Sequence, residues 1–414
     1  MNAGMAIPRS EPESTYAWLR LLAALALMTL GGSGMYGIAV ALSPVQAEFG
    51  VTRGDASLPY TLTMIGFGIG GILMGRIADR FGVVVPVMIG ALGLGSGFVL
   101  AGTASTLFQF SLAHGLLIGF LGCSTTFAPL VADTSLWFNR RRGIAVAICA
   151  SGNYLAGAVW PPILQYSFDT VGWRATYVGT GIFCAASMLL LALALRRRPP
   201  ALDTSTQAIQ ARSFGERPLG LSPNALMVLL VIAGVGCCVA MSMPQVHIVA
   251  YCGDLGYGAT QGAQMLSIML AFGIVSRLVS GWICDRIGGL RTLLLGSMLQ
   301  GIALVMFLPF DGLVSLYVVS AMFGLFQGGI VPSYAIIVRE YFPPREAGVR
   351  TGIVLMATLF GMAFGGWISG AIFDMTGSYR AAFINGIGFN LLNLTIAFWL
   401  LRRSLPGRAV AAAG

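Results

Sequence analysis

Twelve runs of roughly 20 apolar residues, separated by short polar turns, fill almost the whole chain. A run of that length is what an α-helix needs to cross a hydrocarbon layer about 30 Å thick, where only helices and closed barrels satisfy their own backbone. The runs lie near 19–46, 57–75, 83–103, 106–132, 142–164 and 172–195, then, after a polar break at 196–222, near 223–250, 260–283, 289–309, 312–338, 349–373 and 380–402. Composition fits lipid as the solvent, with 9% charged residues against about a quarter in soluble domains. The first run is too long for a signal-peptide core and no persuasive cleavage site follows it, so it is read as an uncleaved span.

All 24 basic residues are arginine, which reflects a GC-rich genome more than selective chemistry, yet it removes every lysine-based mechanism. Twenty of the 24 fall on one side of the predicted spans, including Arg76 and Arg80, Arg140 to Arg142, Arg196 to Arg198, Arg212, Arg217 and Arg408; Arg53, Arg174 and Arg380 fall on the other. The positive-inside rule then predicts cytoplasmic termini and a cytoplasmic central loop in a bacterial inner (plasma) membrane. The pI near 9.5 is thus a mark of topology and does not point to nucleic acid. Seven scattered cysteines lack metal-ligand spacing and read as small packing residues, so neither a metal nor another cofactor is expected.

The chain repeats itself. GRIADRFG, from Gly75 to Gly82, and GWICDRIGG, starting at Gly281, place Gly75, Asp79, Arg80 and Gly82 over Gly281, Asp285, Arg286 and Gly288 at a constant offset of 206. Phe168, Asp169, Gly172 and Arg174 recur as Phe373, Asp374, Gly377 and Arg380 in nearly the same register. The predicted architecture is an all-α membrane protein of two pseudo-symmetric six-helix bundles, 19–195 and 223–402, with a tail at 1–18, a linker at 196–222 and a tail at 403–414. Parallel repeats of this kind place a substrate at their interface near mid-membrane, with access alternating by rocking.

The loop pattern Gly-x-x-x-Asp-Arg-x-Gly resembles the signature of the major facilitator superfamily, here in both halves. Shorter segments resemble its monocarboxylate porter branch, which includes bacterial lactate-type carriers and the oxalate/formate exchanger. They are Tyr16-Ala17-Trp18, then Leu121-Gly122 with Pro129 and Trp137-Phe138, then Gly172-Trp173-Arg174, and Arg277 with Gly281. The acidic residue and glycines that normally precede the first segment are missing. The resemblance implies a secondary transporter without enzymatic activity, working as a monomer. In the repeated loops, Gly75, Asp79, Arg80, Gly281, Asp285 and Arg286 are the expected gating residues, the glycines letting helices touch and the aspartates capping helices of the other half.

Few polar groups lie inside the spans, and Arg277 is the most exceptional. It falls eight residues before Asp285, roughly 12 Å along a helix, where an arginine costs about 2.5 to 3.5 kcal/mol on insertion scales. No acid lies at that depth, and Gly273 occupies the position where eukaryotic members of the branch tend to carry an aspartate. An unpaired guanidinium facing a cleft is a ready bidentate site for a carboxylate, although a structural arginine bonded to helix carbonyls would look the same in sequence. In the family this arginine holds the substrate carboxylate. Dicarboxylate exchangers add a lysine in the eleventh span that this chain lacks, so a monocarboxylate is the expected substrate, with protons as possible co-substrate.

Tyr36, Asn153, Tyr154, Gln327 and Tyr334 are candidate cleft residues, each equally readable as a packing residue. His247 and His114 are the candidates for proton coupling. Asp133, near Arg140 to Arg142, reads as a gate or folding contact. Pro161-Pro162 is expected to end the fifth span, and Pro244 and Pro332 to kink the seventh and tenth. Gly66, Gly68, Gly70 and Gly71, like Gly361, Gly365, Gly366 and Gly370, have the spacing of close helix contacts. A dicarboxylate or formate exchanger, or a drug exporter of the same fold, is the neighbouring reading. A membrane-embedded enzyme would need an acid pair or a histidine-rich cluster that is missing from the spans.

Overall fold

Apolar stretches this long, once in lipid, have no way to satisfy their backbone except as helices, and among the described residues of the computed structural model twelve helices are long enough to span. They are α1 (Thr15–Phe49), α2 (Arg53–Phe81), α3 (Val84–Thr103), α4 (Leu107–Trp137), α5 (Gly143–Val171), α6 (Trp173–Leu193), α7 (Pro223–Asp254), α8 (Ala259–Ile287), α9 (Gly289–Met306), α10 (Leu313–Tyr341), α11 (Glu346–Thr376) and α12 (Tyr379–Ser404). The structure describes residues 13–138, 140–197 and 218–404. Most of the tails and of the linker lie outside the described residues, and with them Arg9, Arg198, Arg212, Arg217 and Arg408.

Most helices run past the predicted windows because those windows follow apolarity, whereas the helices continue into polar turns. The termini explain why the repeated glycines are glycines. Gly82 and Gly288 close α2 and α8 at φ +84° and +83° with extended ψ, a conformation that a Cβ all but forbids. Pro161 and Pro162 do not end α5, which continues through them to Val171. Of the predicted kinks, α7 stays one helix through Pro244, while α10 breaks at Gly328-Gly329, ahead of Pro332. Two other helices are interrupted. Helix α1 changes course at Gly32, and α4 passes through a π-helical stretch, Ala113–Gly122, and a 3₁₀ turn, Cys123–Thr126, before resuming at Ala128. Broken backbone at membrane depth is tolerated where it is buried in protein or lines a cavity.

The two halves join along α2 with α11 and α5 with α8, with α1 and α7 adding a shorter contact. Both seams can be followed residue by residue from the arginine-poor end. Along the first, Gly54 lies against Gly370 and Ala371, Thr61 donates to the Ala363 carbonyl at 3.0 Å, and Gly68 lies against Met356. Along the second, Thr260 donates to Asp169 at 3.3 Å, Ser267 donates to the Ala158 carbonyl, Gly273 lies against Tyr154 and Arg277 reaches Ala150. Beyond these points the helices part. Gly75 and Gly352 on the first pair, and Gly143 and Gly281 on the second, have nothing within 4 Å of where a Cβ would stand. The molecule is therefore closed at the arginine-poor end and open toward the arginine-rich end. Gly75 and Gly281, expected to let helices touch, make no such contact in this conformation because they lie past the point of divergence.

Within each half the glycine expectation fares better. Gly66 and Gly70 put α2 against the Gly115 and Phe120 carbonyls of α4, and Gly361 and Gly365 put α11 against Val235 and Val239 of α7. Gly71 is the exception, facing open space. Asp133, expected near Arg140 to Arg142, pairs with Arg20 of α1. The contact is bidentate at 2.8 and 2.9 Å, and the Arg20 guanidinium also sits 4.6 Å from the Trp137 ring. With Arg20 only 3% exposed, removing one partner strands a buried charge. Asp133→Ala is expected to cost about 3 to 5 kcal/mol and to lower the melting temperature clearly. Restoring much of that loss in Arg20→Met/Asp133→Leu would identify the pair as a fastening of α1 to α4, while an unchanged melting temperature in Asp133→Ala would refute it.

Candidate substrate site

Arg277 is the innermost contact of the α5–α8 seam, at the point where the halves separate. Its Nη1 donates to the Ala150 carbonyl at 2.9 Å, and its guanidinium carbon lies 4.4 Å from the centre of the Tyr154 ring. Both partners belong to α5, in the other half of the molecule. The Nε–H is buried and has no hydrogen-bond partner among the described residues. The arginine therefore combines the two expectations, bonding one helix carbonyl while keeping donor capacity free.

The structure explains the missing aspartate. A Cβ on Gly273 would lie 2.6 Å from two carbons of the Tyr154 ring, so any side chain there displaces the ring. The π face of Tyr154 takes the place beside the guanidinium that a carboxylate could otherwise fill, and it does so without neutralising the charge. Tyr36 joins them. Its ring packs at Gly157, one turn beyond Tyr154 on α5, with Tyr36 6% exposed and Tyr154 5%. Asn153, the residue before Tyr154, lines a small cavity with Met28, Gly31, Gly32, Met35 and Phe67 at the break in α1.

Gln327 is nearby. It ends the first segment of α10, and the following Gly328 packs on Ser276 and the Gly273 carbonyl of α8. Its Oε1 accepts from Gln245 of α7 at 3.3 Å, whereas its Nε2 and the Ser276 hydroxyl are buried without partners among the described residues. Gln245 and Ser276 are polar groups that the sequence did not single out for this site. A polar residue beside a proline or beside a buried arginine was the available signal. Tyr334 does not join the cluster. Its hydroxyl donates to Asn393 at 2.9 Å in a network with Ser297, Gln300 and Asn390 inside the second half.

The histidines are apart from Arg277 and from each other. His114 is fully buried in the π-helical stretch of α4, with Nδ1 3.2 Å from the Thr63 hydroxyl and Nε2 without a partner among the described residues. His247 is also fully buried, with both nitrogens engaged, Nδ1 3.0 Å from the Tyr379 hydroxyl and Nε2 2.7 Å from the Gly366 carbonyl. Asp79, Arg80, Asp285 and Arg286 are exposed at the open end, where Arg80 and Arg286 lie 5.2 and 3.4 Å from the rings of Phe81 and Trp282 on their own helices. What the sequence did not foretell is the closure of the opposite end. There Asp374 accepts from the backbone N–H groups of Arg53 and Gly54 at 2.8 and 2.7 Å, capping α2 from the other half.

If the Gly273 surface holds the Tyr154 ring against Arg277, Gly273→Val overpacks the seam. A loss of about 1 to 3 kcal/mol is expected, read as a lower melting temperature in detergent. Gly143→Ala, at open space, should leave it unchanged, and equal effects of the two would remove the argument.

Comparison with known proteins identifies the family and the fold. Residues 22–316 and 291–413 match the Major Facilitator Superfamily. Similar chains include monocarboxylate transporter 13 of Bos taurus, 26% identical over 92% of this chain and 88% of that one. Monocarboxylate transporter 11 of Homo sapiens is 29% identical over 96% of this chain and 86% of its own. The MFS-type transporter pynF of Aspergillus niger is 24% identical over 95% and 90%. Among solved structures, a bacterial homologue of the human lysosomal transporter Spinster, inward-facing and occupied, superposes with a TM-score of 0.71 at 16% identity, covering 94% of this chain and 98% of that one. A mutant of the nucleoside transporter NupG gives 0.71 at 15% identity over 94% and 100%. Twelve spans, paired halves and a family match over most of the chain together establish a multi-pass membrane transporter that belongs to the Major Facilitator Superfamily.

Proposed function

We propose that the protein is a secondary active carrier of a monocarboxylate, with Arg277 as the group that binds the carboxylate. The observation that carries this reading is a guanidinium at the inner edge of the closed seam, stacked on Tyr154 and retaining an unpartnered Nε–H. A carboxylate entering from the open end would reach that edge, and a bidentate pair with it would be among the stronger contacts available in a low-dielectric site. Tyr36, Tyr154, Asn153 and Gln327 would supply the neutral hydrogen bonds around it. The names of the mammalian relatives agree with this substrate class. A second reading, export of a larger organic acid, draws on relatives such as the agnestins efflux protein of Paecilomyces divaricatus.

The arginine bias supports a cytoplasmic open end, cytoplasmic termini and an inward-facing state in a bacterial inner membrane. The carrier is read as a monomer. Asp79 and Asp285 then belong to the gate that is open in this conformation, free to engage the other half when the molecule turns outward. A monoanion moving inward alone opposes an inside-negative potential at about 2.3 kcal/mol per 100 mV, so accumulation needs a proton or an exchanged anion. Arginine does not titrate in the physiological range, so a proton would ride on a histidine or on the Arg277-bound substrate as it is neutralised. His247 and His114 are the titratable side chains inside the spans suited to it, and proton symport is favoured over anion exchange.

Uptake into proteoliposomes of lactate, pyruvate, formate, oxalate and aromatic acids would identify the cargo. Arg277→Lys is expected to keep the charge, lose the bidentate geometry and reduce uptake at least tenfold, a change of about 1.4 kcal/mol. Normal uptake by well-folded Arg277→Ala would reject the assignment. Asp79→Asn should slow turnover more than it weakens binding; abolished binding with intact folding would refute its gating role. An imposed inward proton gradient should stimulate uptake, whereas stimulation by trapped anion and indifference to the gradient would establish exchange instead.

A further inference from the structure

At the closed end the hydroxyl of Tyr379, the first residue of α12, stands between two groups. It lies 3.0 Å from Nδ1 of His247 and 3.1 Å from Nη1 of Arg53. Arg53 is one of the residues through which the first half grips the second at this end. Its guanidinium pairs with Asp254 at 2.5 Å, bonds Gln46 at 2.9 Å and lies 4.4 Å from the Phe373 ring. Its backbone N–H and that of Gly54 donate to Asp374. Arg53 is 8% exposed and His247 is not exposed at all, while Asp254 and Asp374 reach the surface, so the network joins α1, α2, α7, α11 and α12 from a buried core to the arginine-poor face.

Donor and acceptor roles in it are fixed by elementary bookkeeping. Gly366 presents a carbonyl, which only accepts, so Nε2 of His247 carries a hydrogen and Nδ1 of the neutral ring is an acceptor. The Tyr379 O–H therefore donates to His247, and its lone pairs accept from Arg53. A second proton on His247 turns Nδ1 into a donor. Tyr379 must then accept from His247 and Arg53 together, its own proton loses its partner, and two cations face one another across a single oxygen. The other groups around the ring do not absorb this charge equally. From α2 come Arg53 itself and, beside Gly366, the neutral Tyr60; from α11 comes Asp374, held by the α2 backbone; from α7 come Asp254, already paired with Arg53, and Tyr251.

We propose that His247 is a proton-binding site whose occupancy releases the latch that Arg53 makes with the second half, so that protonation opens the arginine-poor end. This rests on the proton-coupled reading above and supplies its mechanical step. By linkage, a proton that favours the open latch is bound more tightly in the outward-facing state. It is therefore taken up outside and shed inside, the direction that symport into a cell requires.

The test reads the latch without transport. Spin labels at Val171 and Met375, both exposed at the arginine-poor ends of α5 and α11, report the separation of the halves by pulsed electron resonance in nanodiscs. Acidification should enrich the long-distance population about tenfold, the scale of one charge-assisted hydrogen bond. His247→Gln, which keeps a neutral amide donor, should stay closed and lose the pH response. Tyr379→Phe, which removes the shared hydroxyl, should lose it too, and serves if the glutamine variant fails to fold. Asp374→Asn should open the end at every pH. A wild-type separation indifferent to pH, or a pH response that survives in His247→Gln, overturns the proposal. Symport itself is judged separately by gradient-driven uptake of the wild type, which can fail while the latch still titrates.

Discussion

Two helical halves in a bilayer gain little by burying apolar side chains against each other, because lipid offers the same contact. What joins them here is close approach at small residues, backbone against backbone at Gly54 and Gly370 of α2–α11 and glycine against side chain at Gly68 and Gly273, with a few hydrogen bonds laid across. The other features follow from where that seam ends. The halves diverge where the small residues no longer meet a neighbour, Arg277 stands at that boundary, and the polar network of Arg53 sits at the opposite extreme. A carrier needs this arrangement, since a seam bonded equally along its length could not let go at one end.

The boundary is also where a charge is tolerated. Arg277 is relieved by one helix carbonyl and by the face of Tyr154, neither of which cancels it. A carboxylate four residues earlier would have done so, and Gly273 excludes it sterically as well as chemically. Among the described residues no carboxylate therefore pairs with this guanidinium at the inner edge of the seam.

Much of this could be read from the chain. The twelve spans followed from run length, and the two-half organisation from the paired Gly75/Gly281 and Asp79/Asp285 loops. The depth of Arg277 was plain from its spacing to Asp285. Contacts between residues far apart in sequence could not be read in the same way. Nothing local says that Asp133 meets Arg20, or that Tyr334 turns inward to Asn393 while Tyr36 and Tyr154 gather at Arg277. The break in α10 at Gly328 also escaped, because proline is the louder signal and Pro332 stands nearby. Asp374 was visible as half of a repeat, and only the fold gives it α2 to cap.

That repeat is not equal in its two copies. Asp374 holds two backbone N–H groups of α2, while its counterpart Asp169 reaches α8 through a threonine hydroxyl at 3.3 Å and spends its other oxygen on Gln165. A pseudo-twofold molecule with one firm clasp and one loose one does not swing open like a symmetric hinge. At the closed end the α2–α11 clasp holds one more hydrogen bond between the halves than the α5–α8 clasp, so the two flanks of the pseudo-twofold are not equally fastened.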